Sequence, residues 1–186
     1  MDAMTSFTHV EVLVPSLYPW VMAETVAIAF VCIVAGFMAG SKRSTLFNEE
    51  FMNLHFKEEH ERAFPDGSVR LPKGGYPDHG NGRYSDKLSY ADWYAFNCDQ
   101  RAHKNILESI AQVCFCLLVS GIVFPVVTII LGGLHLLGRI VYIIGYRKSA
   151  QGRTIGAMIS MMSLMMILLL GLAATITWCV LSPYQI

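Results

Sequence analysis

The sequence predicts an all-α integral membrane protein with four transmembrane helices. Hydrophobic residues make up 54% of the 186 residues, and the mean hydropathy is +0.45. The charged residues concentrate between Lys42 and Asp99, and none lies between Ile155 and Ile186. This apolar surplus is too large for one small soluble core, so lipid must solvate the rest.

Four apolar stretches account for the predicted helices. Each approaches the ~20 residues with which a helix crosses about 30 Å of hydrocarbon. The whole chain, residues 1–186, is therefore expected to form one membrane domain. We expect helix 1 at about residues 18–41, helix 2 at about 98–124, helix 3 at about 126–147 and helix 4 at about 154–182, with a long loop at 42–97.

The first apolar stretch has to be distinguished from a secretory signal peptide. Residues 1–17 contain Asp2 and Glu11 but no Lys or Arg, and the stretch is longer than the apolar core of such a signal. We therefore predict a retained span. Helices 2 and 3 meet at Phe124-Pro125 without an intervening charge, which predicts a tight antiparallel hairpin.

The loops on either side of this hairpin carry the basic residues. Loop 42–97 contains eight Lys or Arg residues, and the loop after helix 3 adds Arg147, Lys148 and Arg153. The positive-inside rule then predicts that both loops are cytosolic and that both termini lie on the other side. Within the long loop, residues 49–64 are predicted to form a short amphipathic helix. Turn formers and aromatic residues follow it, and they indicate an ordered cap on the membrane face.

Composition excludes several classes of function. The formal net charge is zero, so the sequence lacks the basic surplus of nucleic-acid binders, and no nucleic acid is expected as a partner. The five cysteines are odd in number and lie mostly in apolar stretches. They indicate neither a disulfide framework nor a zinc site, and no metal site is predicted.

Polar residues at the start of helix 2 form a pattern. Ionisable side chains at membrane depth are costly and usually face a protein interior or a water-filled site. Arg101, Asn105 and Glu108 stand at i, i+4 and i+7, so they share one helix face. His103 points about 200° away from Arg101 and is expected to face a different helix or another subunit.

A second polar face lies at the end of helix 3, where Arg139, Tyr142 and Tyr146 stand at i, i+3 and i+7. Because the two loops are predicted on the same side, the two faces can converge on one polar ligand. The alternative is that Arg101 and Arg139 are interfacial anchors and the tyrosines an aromatic belt. His135, deeper in helix 3, is expected to be a satisfied packing residue.

These residues resemble the MAPEG superfamily of membrane glutathione transferases. The resemblance rests on residues 96–105 (FNCDQRAHKN) with Glu108 and on residues 138–146 (GRIVYIIGY). It covers about residues 18–182 apart from the middle of the long loop. The branch most similar is the type 3 microsomal glutathione S-transferases, related to cysteinyl-leukotriene synthase and the 5-lipoxygenase-activating protein.

The resemblance implies a homotrimer that holds glutathione, its co-substrate, between adjacent protomers at the cytosolic side. Arg153 matches the catalytic arginine, supplied by the neighbour, that stabilises the glutathione thiolate. His103 matches a position that faces the neighbour's site, and Arg139 matches a structural or site-adjacent arginine. Lys42 and Arg43 resemble a basic pair at the end of helix 1. The positions that hold glutathione within one subunit correspond to Arg101, Asn105, Glu108, Tyr142 and Tyr146.

The sequence departs from the family at three points. Ser109 stands where the leukotriene synthases have a tyrosine, helix 2 lacks a proline after the glutamate, and the long loop exceeds that of the animal enzymes. These differences concern the lipid specificity more than the glutathione site. The arginine positions at which the non-catalytic activating-protein branch departs are kept, which favours catalysis.

We therefore expect a membrane-bound glutathione transferase that acts on lipophilic electrophiles, with glutathione peroxidase activity on lipid hydroperoxides as a further expectation. The endoplasmic reticulum is the expected membrane and the mitochondrial outer membrane the alternative. The rival function is a non-catalytic scaffold or accessory subunit of a larger membrane complex, with the long loop as its docking surface. A channel or transporter is less favoured, because no span carries the signature of a broken helix.

Overall fold

The computed structural model describes residues 14–181, which fold into α-helices, short 3₁₀ turns and connecting loops. Four helical stretches are long and apolar enough to cross a membrane, as predicted. The first 13 residues and the predicted last residue of helix 4 lie outside the described residues. The α-helices are α1 (Tyr18–Leu46), α2 (Glu49–Ala63), α3 (Tyr90–Leu107), α4 (Ile110–Val123), α5 (Pro125–Lys148) and α6 (Thr154–Leu181).

The first two spans are longer than hydropathy predicted. Helix α1 continues to Leu46 instead of ending near residue 41, and α3 begins at Tyr90 instead of near residue 98. The Ser89 hydroxyl accepts a hydrogen bond from the Asp92 backbone N–H at 3.1 Å, which starts α3 in a polar segment that hydropathy does not detect. The connection between α1 and α3 therefore covers residues 47–89.

The second span is interrupted at Glu108 and Ser109, between α3 and α4. The Ser109 N–H donates to the Ile106 carbonyl at 3.1 Å, a tightened turn that ends α3. The sequence carries no signature of a broken helix here, so the structure adds an interruption that the sequence does not signal. No proline marks the break, and tertiary contacts described below account for its position.

The spans pack into a bundle with α5 at its centre. Helix α5 contacts α1, α3, α4 and α6, whereas α1 and α6 pack on the α4 and α5 pair and hardly touch each other. Close approach of α5 and α6 requires small residues. A Cβ on Gly138 would lie 2.7 Å from the backbone nitrogen of Ser160. The apolar core of the bundle contains Val21, Ile28, Val113, Leu117, Leu131 and Ile167.

Residues 47–89 follow the C-terminal end of α1 and form a cap that packs on α3. We call the end of the bundle that carries this cap the charged end. The helix predicted over residues 49–64 is confirmed as α2, and the Asn48 side chain accepts a hydrogen bond from Phe51 N–H at its start. A cluster of buried side chains joins the cap to the bundle: Phe47, Met52, Phe56 and Phe96.

Asp78 organises the turn that follows. Its carboxylate accepts hydrogen bonds from the backbone N–H groups of Ser85 and Gly80, both at 2.7 Å. Burial raises the pKa of this carboxyl, but the N–H donors outweigh burial and hold the pKa below its ordinary value. The Gly80 carbonyl in turn accepts from Trp93 Nε1 at 3.0 Å and from Asn97 Nδ2 at 2.8 Å, so the turn is docked on α3.

Arg43 holds the cap to the end of α1. Its side chain is 3% exposed and donates to the carbonyls of Gly74 at 3.1 Å and Gly75 at 3.3 Å. Its guanidinium carbon also lies 4.4 Å from the Tyr76 ring centroid and 5.2 Å from that of Phe96. Through these hydrogen bonds and ring contacts, the Arg43 guanidinium stabilises the cap.

We predict that Arg43→Met loosens the cap without disturbing the spans. The substitution leaves two carbonyls without a donor, at about 1–3 kcal/mol each. Amide hydrogen exchange over residues 73–78 should therefore accelerate by roughly 10-fold or more. Lys42→Met is the matched control, since Lys42 makes no ion pair with any described residue of the cap. Unchanged exchange in Arg43→Met would contradict this role.

Candidate functional site

A cleft of about 310 Å³ opens at the charged end of the bundle, between the end of α3 and the interruption after it on one side and α5 and α6 on the other. One wall is polar and the opposite wall, from α6, is largely apolar, with Ala157, Met161 and Leu164. Five of the predicted site residues line the polar part: Asn105, Glu108, Arg139, Tyr142 and Arg153.

Arg139 connects the two polar helix faces. Its side chain is 5% exposed, and its two terminal nitrogens donate to Asn105 Oδ1 at 2.7 Å and to Ser109 Oγ at 2.6 Å. Asn105 Nδ2 then donates to Glu108 Oε2 at 3.3 Å. Short charge-assisted hydrogen bonds of this kind fix the relative positions of α3 and α5. The interruption after Leu107 brings the Ser109 hydroxyl to the guanidinium.

His135 extends this network toward α6. Its Nε2 accepts from Arg139 Nε at 3.3 Å, and its Nδ1 lies 3.1 Å from the Ser160 carbonyl and 3.2 Å from Ser163 Oγ. A guanidinium can only donate and a carbonyl can only accept. The ring is therefore neutral, with its proton on Nδ1. The sequence alone predicted only a packing role for His135. Its four-residue spacing from Arg139, which places both side chains on one helix face, is the signal that indicates the contact.

Arg153 lies at the mouth of the cleft, in a 3₁₀ turn over Gln151–Arg153. Its guanidinium carbon is 5.4 Å from the ring centroid of Tyr146, which packs edge-on against Tyr142. The Tyr94 hydroxyl accepts from the Ala150 N–H at 2.8 Å and ties this turn to α3. The resemblance predicted that Arg153 reaches the site from a neighbouring subunit. In the structure it lines the cleft of its own chain.

Two predicted ligands on α3 do not line the cleft. Arg101 is exposed one turn before Asn105. His103 faces α1, where its Nε2 would lie 3.1 Å from a Cβ placed on Gly36. The expectation that His103 points to a different helix is confirmed, and its role toward a neighbouring subunit stays a prediction.

The remaining predicted ligands also lie elsewhere. Arg43 is buried in the cap, with its donors directed at loop carbonyls, so one chain does not offer it to a ligand. Lys42 lines a separate groove on the α1 side of the bundle. Tyr146 is buried behind Tyr142 and does not line the cleft. The two basic residues at the end of helix 1 therefore lie in different environments, Arg43 in the buried cap and Lys42 in the groove.

The cleft combines three chemical properties. Glu108 offers a carboxylate to a cationic group of a ligand, and Arg153 offers a guanidinium to an anion. Arg139 is engaged by its protein partners and so serves to hold Asn105 in place. The apolar wall of α6 can accept a lipophilic group. The arrangement suits a zwitterionic or polyanionic ligand next to an apolar one.

We predict that His135→Leu disorders the network while His135→Gln largely preserves it. Leucine leaves Arg139 Nε without an acceptor, a loss of about 1–3 kcal/mol of stability, whereas the glutamine amide oxygen can replace Nε2. Thermal unfolding of the purified protein measures the difference.

Nitrogen NMR of the histidine rings provides an independent check. The signals lost in His135→Gln identify this ring, and they should show a neutral imidazole protonated on Nδ1. Protonation on Nε2 would contradict the network.

A comparison with known protein families matches the part of the chain that contains the cleft. A family model described as MAPEG family matches residues 66–173, more than half of the sequence. The matched residues include α3, α4, α5 and every residue that lines the cleft, whereas α1 and α2 precede them. With four apolar spans and this match, the chain is a multi-pass membrane protein that belongs to the MAPEG family.

Proposed function

We propose that this protein is a membrane-bound glutathione transferase that activates glutathione as a thiolate and conjugates lipophilic electrophiles. The family includes glutathione transferases and leukotriene synthases as well as members with other functions, so membership alone supports only the general class. The observation that carries the proposal is the cleft itself. It joins Glu108, Asn105 and Arg153 to the apolar wall of α6.

Glutathione carries two carboxylates, one ammonium and one thiol. Glu108 suits the ammonium, and its bond to Asn105 orients it. Arg101, exposed one turn before Asn105 on the same face, suits a carboxylate through bidentate hydrogen bonds. Arg101 and Glu108 would then hold the ligand at two of its charged groups.

Arg153 would stabilise the glutathione sulfur. A free thiol of pKa ~8.5 is only a few per cent thiolate at neutral pH, and a nearby guanidinium lowers its pKa. The thiol proton leaves to water, and the thiolate electron pair forms a bond to the electrophilic carbon of the second substrate. At the same time that carbon loses a leaving group with its electron pair, or an epoxide C–O bond or a conjugated π bond breaks and the resulting anion takes up a proton from water. Met161 and Leu164 would contact that substrate, which reaches the cleft from the lipid. Peroxidase activity would use the same thiolate to attack the terminal oxygen of a lipid hydroperoxide, which breaks the O–O bond and releases the lipid alcohol. A second glutathione then condenses with the resulting sulfenic acid to give glutathione disulfide and water.

We further propose that the functional unit is a homotrimer and that the cleft faces the cytosol. His103 does not line the cleft of its own chain, which agrees with the suggestion that it faces a neighbour's site. The endoplasmic reticulum is the proposed membrane, with the mitochondrial outer membrane as the alternative.

A non-catalytic scaffold within a larger membrane complex is the second candidate. It is favoured by α2, which lies wholly before the matched residues and presents Leu54 with 76% of its surface exposed. Loss of co-purifying proteins with unchanged conjugation in Leu54→Gln would support docking by the cap.

Ultraviolet absorbance of the thiolate tests the transferase proposal. Wild-type protein should develop a thiolate signal when glutathione is added at neutral pH. Arg153→Ala should lose that signal and lower the conjugation rate by roughly 10- to 100-fold, because the thiol returns to its ordinary pKa. Glutathione binding should largely survive.

Arg70→Ala, which removes another exposed arginine, is the control and should behave as wild type. Glutathione that binds to folded wild-type protein without a thiolate signal would overturn the assignment of Arg153. Absence of binding altogether would overturn the transferase proposal.

A further inference from the structure

A second concave surface lies on the α1 side of the charged end, and it is larger than the cleft. This groove, of about 500 Å³, lies between α1, α3 and α5, and it shares no lining residue with the cleft. We propose that the groove binds an anionic membrane phospholipid. Its phosphodiester head would lie between Lys42 and Arg147, and an acyl chain would lie along Val34 and Phe37.

Arg147 is held in place for such a contact. Its Nε donates to Asp99 Oδ1 at 3.1 Å, and the Asp99 side chain is only 7% exposed. The two terminal nitrogens of Arg147 have no hydrogen-bond partner within residues 14–181. The buried Asp99 carboxylate thus fixes the guanidinium through Nε, and the two terminal nitrogens can donate to phosphate oxygens.

Lys42 supplies the second cation. It lies across the groove on α1 and makes no ion pair with any of the described residues. Lys42, Arg147 and Asp99 together carry a charge of +1, which one phosphodiester neutralises. The hydroxyl-bearing Ser41 and Thr45 lie beside Lys42 and complete the polar end.

The other end of the groove is apolar and continuous with the lipid-facing surface of α1. Phe37 is 73% exposed and precedes Lys42 on α1, with Val34 and Met38 beside it. A soluble anion would leave these side chains unused, whereas a phospholipid covers them. Cations at the end of a membrane span also attract anionic lipid headgroups. The groove therefore fits a lipid better than a free anion.

Lipid retention measures this directly and does not depend on glutathione. Protein purified in a mild detergent is titrated with phosphatidylserine or phosphatidylcholine of the same acyl chains, and bound lipid is counted by native mass spectrometry. Wild type should prefer phosphatidylserine. Lys42→Gln and Arg147→Gln should each weaken its binding by about five-fold, and phosphatidylcholine should be little affected.

Lys148→Gln is the matched control, because Lys148 is an exposed lysine at the same helix end but outside the groove. Since Arg147→Gln leaves Asp99 unpaired, the double variant with Asp99→Asn separates loss of the site from loss of folding. Phe37→Ser tests the acyl-chain end and should lower the affinity for both lipids.

Three results would overturn the proposal. Retention of phosphatidylserine in Lys42→Gln and in the double variant equal to that in wild type would exclude a headgroup site. Displacement of the lipid by inorganic phosphate, or equal binding of headgroups without acyl chains, would indicate a site for free anions. A change of oligomeric state in Phe37→Ser without loss of lipid would indicate a contact between copies of the chain.

Discussion

The buried guanidinium of Arg139 is the constraint on which the site depends. It lies within the membrane bundle at 5% exposure, and a charge there is stable only if it is hydrogen-bonded. His135, Asn105 and Ser109 each accept from one of its three nitrogens, from three points along two spans. The second span is broken at Ser109 without a proline, and the bond from Arg139 to the Ser109 hydroxyl explains why the break persists there.

This network also links the other spans. His135 joins α5 to α6 through Ser160 and Ser163, and the absence of a Cβ on Gly138 lets these helices approach closely. Asn105, which is held by Arg139, donates a hydrogen bond to Glu108 and so helps to fix the position of its carboxylate. The polar wall of the cleft is thus positioned by helices held together by buried hydrogen bonds, while Arg153 comes from the 3₁₀ turn after α5. Rigid elements of this kind hold a ligand in one geometry at low entropic cost.

Helical periodicity predicted much of this site. Residues at i, i+4 and i+7 share a face, so Asn105 and Glu108 had to lie together, and the matching spacing predicted that Arg139 and Tyr142 meet them. The break in helix 2 was not predictable, because its cause is a partner distant in sequence. Nor could the separate environments of Lys42 and Arg43 be predicted. Adjacent helical residues diverge by about 100°, and only the folded cap determines which of them it covers.

Helices α3 and α5 each contribute residues to two separate surfaces, and Lys42 lies at one of them. Asn105 and Arg139 face α6 and build the cleft, whereas Asp99 and Arg147 face α1 and build the groove. Each pair bonds across the same two helices, at 2.7 Å and 3.1 Å. Binding on the α1 side would therefore act on the helices that form the cleft. Because both pairs are fixed by direct hydrogen bonds, a lipid that stabilises one would limit the movement of the other.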